Sequence, residues 1–185
     1  MLVLASASPR RQELLRNAGI AFVARPTDIP EIPKAGEAPR AFAERMAREK
    51  ALAAFDKKSE GLVLGADTIV VVDSEILGKP RNHADAARML HLLSSRTHQV
   101  ITGVCLLGHG FADVRSETTI VTMNSLGDED IQSYVSTNEP MDKAGAYAIQ
   151  GRASRWISRI EGDYFNVVGL PVSLVYRMLQ EHRVL

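Results

Sequence analysis

The sequence predicts an α/β fold, a twisted mixed sheet flanked by helices, and three observations carry that expectation. Residues 2–5 and 62–72 are apolar almost throughout, as strands are when both of their faces are covered. Helical stretches stand between the strand-like ones along the whole chain. Two long strand-like stretches, 99–107 and 115–123, follow each other through Gly108-His109-Gly110. The 185 residues suit one large domain or two fused lobes, and with no repeat or flexible linker the reading is a single domain over 1–185.

The elements follow in order. Strand 2–5 leads into a helix over 9–18, with Ser8 as cap, Pro9 at the first helical position and Gly19 as terminator. Residues 25–39 carry four prolines and form a loop containing Asp28-Ile29-Pro30-Glu31. A helix is predicted over 40–55 and a strand over 62–72. Asn82 caps a helix over 83–93, with Asp85 three residues on in a capping-box-like arrangement. After the long strand pair come a short helix over 129–135 and a glycine-rich segment, 142–151. A hairpin of 155–160 and 164–168 is predicted around Glu161-Gly162-Asp163, and Pro171 starts the last helix. The ligand cleft is expected along the proline-rich and glycine-rich loops.

Bulk composition excludes several classes. Hydrophobic residues make up 45% and charged residues 24%, as in an ordinary soluble globular protein. The 22 basic residues balance 22 acidic ones, so no global field draws the chain onto nucleic acid or anionic lipid. The aromatics, Trp156 among them, are too scattered for a base-stacking platform. Cys105, the single cysteine, lies in an apolar run and reads as a buried structural thiol. No apolar stretch reaches membrane-spanning length, and the first residues lack the pattern of a signal peptide, so a cytoplasmic location is expected. The five histidines form no ligand cluster.

Local features supply what the global charge does not. Arg10 and Arg11 sit at a helix start, where the positive dipole end and unpaired N–H groups favour acidic residues. Guanidinium groups stacked on free donors make a pocket for a strongly anionic group, most simply a phosphate chain, unless both point into water beside Glu13. Asp67 is a lone carboxylate in the apolar run 64–72, which calls for a facing cation or donor. Such a group can hold a divalent metal or orient a water, or pair structurally with a local arginine. Lys50 shares a four-residue stripe with Phe42, Met46 and Ala54, so it either snorkels to the edge or reaches an anionic ligand. Lys79, in the rigid turn Gly78-Lys79-Pro80, can meet a phosphate oxygen as a point charge or stand exposed. Glu31 is a candidate second metal ligand or base. Gln150 offers the paired donor and acceptor that read a nucleobase edge, or is a surface residue after a tight turn.

Together these pieces resemble the Maf family of nucleoside triphosphate pyrophosphatases. The matching segments are Leu4-Ala5-Ser6-Ala7-Ser8-Pro9-Arg10-Arg11, Arg48-Glu49-Lys50-Ala51, Gly65-Ala66-Asp67-Thr68-Ile69-Val70 and Gly78-Lys79-Pro80. Asp142-Lys143-Ala144-Gly145-Ala146-Tyr147, Ile149-Gln150-Gly151 and Val167-Val168-Gly169-Leu170-Pro171 complete the set, in family order over nearly the whole chain. The resemblance implies a Maf/ITPase-like α/β fold with a cleft between two lobes, and hydrolysis of a nucleoside triphosphate to the monophosphate and pyrophosphate with a divalent cation, Mg2+ or Mn2+. It implies Asp67 as proton acceptor, Arg10, Thr68 and Gln150 as substrate-selecting positions, and a homodimer. Ser8, Arg11, Lys50 and Lys79 are expected to bind the triphosphate, and Asp67 or Glu31 to hold the metal. The segment around Tyr147 resembles the branch acting on dTTP and UTP; the branch acting on 7-methyl-GTP, and a non-catalytic nucleotide-binding regulator of septum formation, are the alternatives. The loop that often carries two adjacent acids has only Glu31 here, with Pro30 before it.

Overall fold

A computed structural model describes residues 1–56 and 61–184. Strand β1 (Leu2–Leu4) leads to helix α1 (Pro9–Asn17), then β2 (Val23–Ala24), α2 (Pro39–Ala54), β3 (Leu62–Val72) and β4 (Glu75–Leu77). Helix α3 (His83–Leu93), the long strands β5 (Thr97–Gly108) and β6 (Phe111–Met123), and α4 (Asp128–Val135) follow. Three 3₁₀ turns, Glu139–Asp142, Ala144–Ala146 and Arg152–Trp156, precede β7 (Ile157–Glu161), α5 (Tyr164–Val168) and α6 (Val172–Glu181).

The strands form one mixed sheet in the order β2-β1-β3-β5-β6-β7, with β4 also paired to β3. Strand β1 pairs in parallel with β2 and β3, whereas β3/β4 and β6/β7 are antiparallel. The α/β expectation holds. Two of these strands escape sequence reading because they are short: β2 has two residues and β4 three. Strand β4 is fixed by the turn Asp73-Ser74, both at positive φ, which suits a two-residue hairpin.

One predicted element is wrong. Residues 164–168 are helical, not the second strand of a hairpin, and β7 pairs with β6 instead. The cause is Asp163, whose side chain accepts hydrogen bonds from the N–H groups of Phe165 (2.7 Å) and Asn166 (3.4 Å) and so caps a helical turn. Asn166, fully buried, then donates through Nδ2 to Val100 O and Thr119 Oγ1, both at 3.0 Å.

The chain divides into two compact units. The described residues of the first fall in Met1–Thr68, Thr102–Glu117 and Gly169–Leu185, and those of the second in Ile69–Ile101 and Thr118–Val168. The first has a core of small and branched side chains that includes Val3, Ala47, Ala51, Val63 and Cys105. Gly65 on β3 is needed there, because a Cβ at that position would overlap the carbonyl oxygen of Ala47 on α2. The bare backbone lets α2 lie close against the strand, which brings Lys50 within reach of Asp67. The second unit packs Val70, Leu90, Val121, Ile131 and Tyr134 around Trp156.

Candidate active site

The first unit gathers most of the residues that the sequence singles out. Helix α1 begins as expected: Pro9 is the first helical residue, Ser8 Oγ accepts from Arg11 N at 3.5 Å, and the first turn holds no acid. Helix α2 turns one face inward, burying Phe42, Met46, Lys50 and Ala54. Lys50 does not snorkel. Its Nζ donates to Asp67 Oδ1 at 2.5 Å and to Glu31 Oε1 at 2.7 Å. Asp67 is 4% exposed and Lys50 8%, so this ammonium is the cation that the buried strand carboxylate requires.

Arg11 is largely committed within the protein. Its Nε donates to Gly169 O at 2.8 Å, one Nη to Ser6 Oγ at 3.4 Å and the other to Thr68 Oγ1 at 3.0 Å. Burial pushes its guanidinium below the ordinary value, against the raising influence of Asp67 and Glu31. Arg10 is half-buried, and its side chain makes no hydrogen bond or ion pair among the described residues. Thr68 Oγ1 also meets Thr102 Oγ1 at 2.9 Å and Gly169 O at 3.2 Å. A hydroxyl has one proton and two lone pairs, so three partners fill it.

The Glu31 loop is strapped down by a pair that sequence reading passed over. Arg45 on α2 grips Glu37 in a two-pronged contact, Nε to Oε1 at 2.6 Å and Nη2 to Oε2 at 2.7 Å. The same Nη2 donates to the carbonyl of Ile32, next to Glu31, at 3.0 Å. The Arg45 contact holds the Glu37 carboxyl down at about 2. Glu37 and Arg45 lie eight residues apart across a helix start, a spacing that no helical rule marks. The other missed groups are Thr102 and the Gly169 carbonyl, for which position in the sequence gives no signal.

Lys79 and Gln150 belong to the second unit. Lys79 is exposed in the bend after β4, and that bend is tied to the glycine-rich segment by Gly145 N donating to Gly78 O at 3.1 Å. Gln150 is exposed directly after five buried residues, and its amide makes no hydrogen bond among the described residues. Behind it, Tyr147 Oη lies 2.7 Å from Nε2 of the buried His98.

Asp67 and Glu31 are a donor set that fits a hard divalent cation. Both present a carboxylate oxygen within 2.7 Å of one positive centre, the Lys50 ammonium. Mg2+ commonly takes one or two carboxylates and fills its remaining positions with water and substrate phosphate. Among the described residues no three His, Cys, Asp or Glu side chains gather into a self-sufficient metal cage. Chemically the arrangement offers a buried carboxylate held by an ammonium, within electrostatic reach of the guanidinium of Arg11 on α1.

The Maf-like protein family matches residues 1–182. A "dTTP/UTP pyrophosphatase" of Koribacter versatilis (strain Ellin345) is 56% identical over 184 residues, covering all of this chain and 95% of that protein. Relatives of the same name from Symbiobacterium thermophilum and Bacillus cereus (strain AH820) are 52% and 44% identical; they cover 97% and 99% of this chain, and the matches span 93% and 96% of those proteins. Among solved structures, a HAM1 protein from Coxiella burnetii aligns at 21% identity with a TM-score of 0.43, over 66% of this chain and 72% of that one. With the match running from the first residue to 182, the chain belongs to the Maf family.

Proposed function

We propose that the protein hydrolyses dTTP and UTP to the monophosphate and pyrophosphate, clearing unwanted pyrimidine nucleotides from the pool. The observation that carries this reading is the buried Lys50 ammonium shared by Asp67 and Glu31 in the same unit as the Arg10-Arg11 helix start. A site that only bound polyanionic nucleotide would gain nothing from a buried carboxylate. The activity for which the relatives are named supplies the substrate class.

Asp67 takes the proton of an attacking water while Lys50 fixes the carboxylate's direction. The water oxygen bonds to the α-phosphorus, the bond from that phosphorus to the bridging oxygen breaks, and pyrophosphate leaves. Arg10 and the third N–H of Lys50 hold phosphate oxygens, with Arg11 and Ser8 shaping the helix start behind them. Asp67 and Glu31 would hold Mg2+ or Mn2+, which when bound supplies positive charge to the departing group. In the second unit, Lys79 keeps the phosphate role and Gln150 the reading of a base edge; in the first, Thr68 can take a selecting role only by giving up one of its three partners. The same reading takes 1–185 as one catalytic domain working in the cytoplasm as a homodimer.

The test is a substrate panel of dTTP, UTP, CTP, GTP and 7-methyl-GTP with Mg2+ or Mn2+, products identified. Monophosphate plus pyrophosphate, with dTTP and UTP turned over fastest, is the expected result. Diphosphate plus phosphate would contradict attack at the α-phosphorus, and preference for a guanine nucleotide would move the chain to the other branch.

A further inference from the structure

The turn that presents Gln150 is pinned at both ends by two side chains that lie outside the motifs read from the sequence. Residues 148–151 form a tight turn closed by Gly151 N donating to Ala148 O at 3.0 Å, with Ile149 and Gln150 as its central residues. At the entry, Ala148 N donates to Tyr134 Oη at 3.3 Å. At the exit, Arg152 N donates to Glu139 Oε1 at 3.0 Å. Tyr134 Oη in turn donates its proton to that same Glu139 Oε1, at 3.0 Å. One carboxylate oxygen and one phenol thus close a ring around the exposed glutamine.

The ring is rigid. Tyr134 is 1% exposed on α4 and meets Trp156 edge-on, ring centres 5.3 Å apart. Glu139 opens the next 3₁₀ turn, its N–H on Thr137 Oγ1 at 3.2 Å and its carbonyl taken by Lys143 Nζ at 2.9 Å. Gly151 leaves room for the contact between Arg152 N and Glu139, since a Cβ there would overlap Glu139 Oε1 and displace the carboxylate from it. All of these hydrogen bonds lie within the second unit and fix the backbone on either side of Gln150.

We propose that Glu139, acting with Tyr134, is a positioning residue for base selection: it holds the Gln150 turn so that the amide meets one nucleobase edge. The inference rests on the reading of Gln150 as the base-contacting residue. A misplacement of about 1 Å can cost on the order of 10²-fold in a well-ordered site. Here only the contact to the base is misplaced, so the cost falls on discrimination between bases rather than on hydrolysis as such.

The experiment uses the full-length protein and the variants Glu139→Ala, Glu139→Gln, Tyr134→Phe and Gln150→Ala. Amide hydrogen exchange at Ala148 and Arg152 reads the pinning directly, and kcat/KM for dTTP and CTP reads selection. In Glu139→Ala the Arg152 amide should exchange roughly tenfold faster or more, and the dTTP:CTP ratio should fall about tenfold, toward that of Gln150→Ala. The loss should appear in KM for dTTP, with kcat within about threefold of the parent. Glu139→Gln, which keeps an acceptor oxygen, should restore both, and Tyr134→Phe should expose the Ala148 amide. Unchanged protection in Glu139→Ala overturns the pinning. Lost protection with an intact ratio, while Gln150→Ala lowers it, overturns the positioning role. A parent that releases no pyrophosphate from dTTP, or a ratio indifferent to Gln150→Ala, overturns the functional reading and the selection step with it; the exchange data still decide the pinning.

Discussion

At the scale of single residues, the Lys50 ammonium is the group on which the candidate site turns. It is 8% exposed and is the partner, among the contacts seen, of a strand carboxylate that is 4% exposed. Removing one member of a buried ion pair leaves an uncompensated charge, which typically costs about 3–5 kcal/mol. Lys50→Met should therefore unfold at clearly lower urea than the parent and lose about 10²-fold or more in turnover. Adding Asp67→Asn should return part of the stability, because the stranded charge is gone, but none of the activity. Equal urea midpoints for parent and Lys50→Met would refute the pairing. Both residues were legible in the sequence, one as a lysine on an inward stripe and the other as a lone acid among apolar neighbours. The use made of Arg11 was not. Its shortest contact is with the Gly169 carbonyl, 158 residues along the chain, and a backbone oxygen carries no mark in the sequence. Thr68, expected only as a substrate-selecting position, likewise has three partners that its place in the sequence does not announce.

At the scale of elements, strands and helices with long apolar patterns were legible, and short ones governed by side-chain caps were not. The stretch after Gly162 looked like a returning strand because Val167 and Val168 favour strands; Asp163, capping Phe165 and Asn166, overrides that preference. Strand β5 carries a related hidden feature. His98, 2% exposed, bonds Tyr147 Oη through Nε2, and its Nδ1 has no partner among the described residues. Burial lowers its value from 6.5 to about 4, so the folded protein holds a neutral imidazole. Above pH 6.5 neither state is protonated and His98 contributes no pH dependence. Between 6.5 and 4 the unfolded chain binds a proton that the native state refuses, so stability falls as pH falls, and below about 4 the loss levels off. The full loss is about 3 kcal/mol, at 1.36 kcal/mol for each pH unit of the gap. Urea midpoints measured from pH 7 to pH 4 should drop more steeply in the parent than in His98→Gln. Parallel curves would show that the imidazole is not held neutral.

At the scale of the whole molecule, the two units differ in how the chain builds them. The second lies entirely within residues 69–168, whereas the first is assembled from three segments, the last beginning at Gly169. That last segment brings the carbonyl which accepts from Arg11 and Thr68, and helix α6, which buries Leu174, Val175, Met178 and Leu179. Each such side chain contributes about 1.5–3 kcal/mol on burial, so losing all four rivals the entire stability of a typical domain. A chain ending at Val168 should therefore lose the first unit, and dTTP turnover with it. The second unit keeps every member of its own core in that shortened chain, Trp156 included. Trp156 is the only tryptophan, so its emission reports on that core alone. In the truncated protein it should stay blue-shifted, as for a ring that is 6% exposed and packed against Tyr134, while far-ultraviolet dichroism falls. Emission shifted to the red in step with the dichroism would mean that the second core cannot stand without the first, and that the two units fold as one.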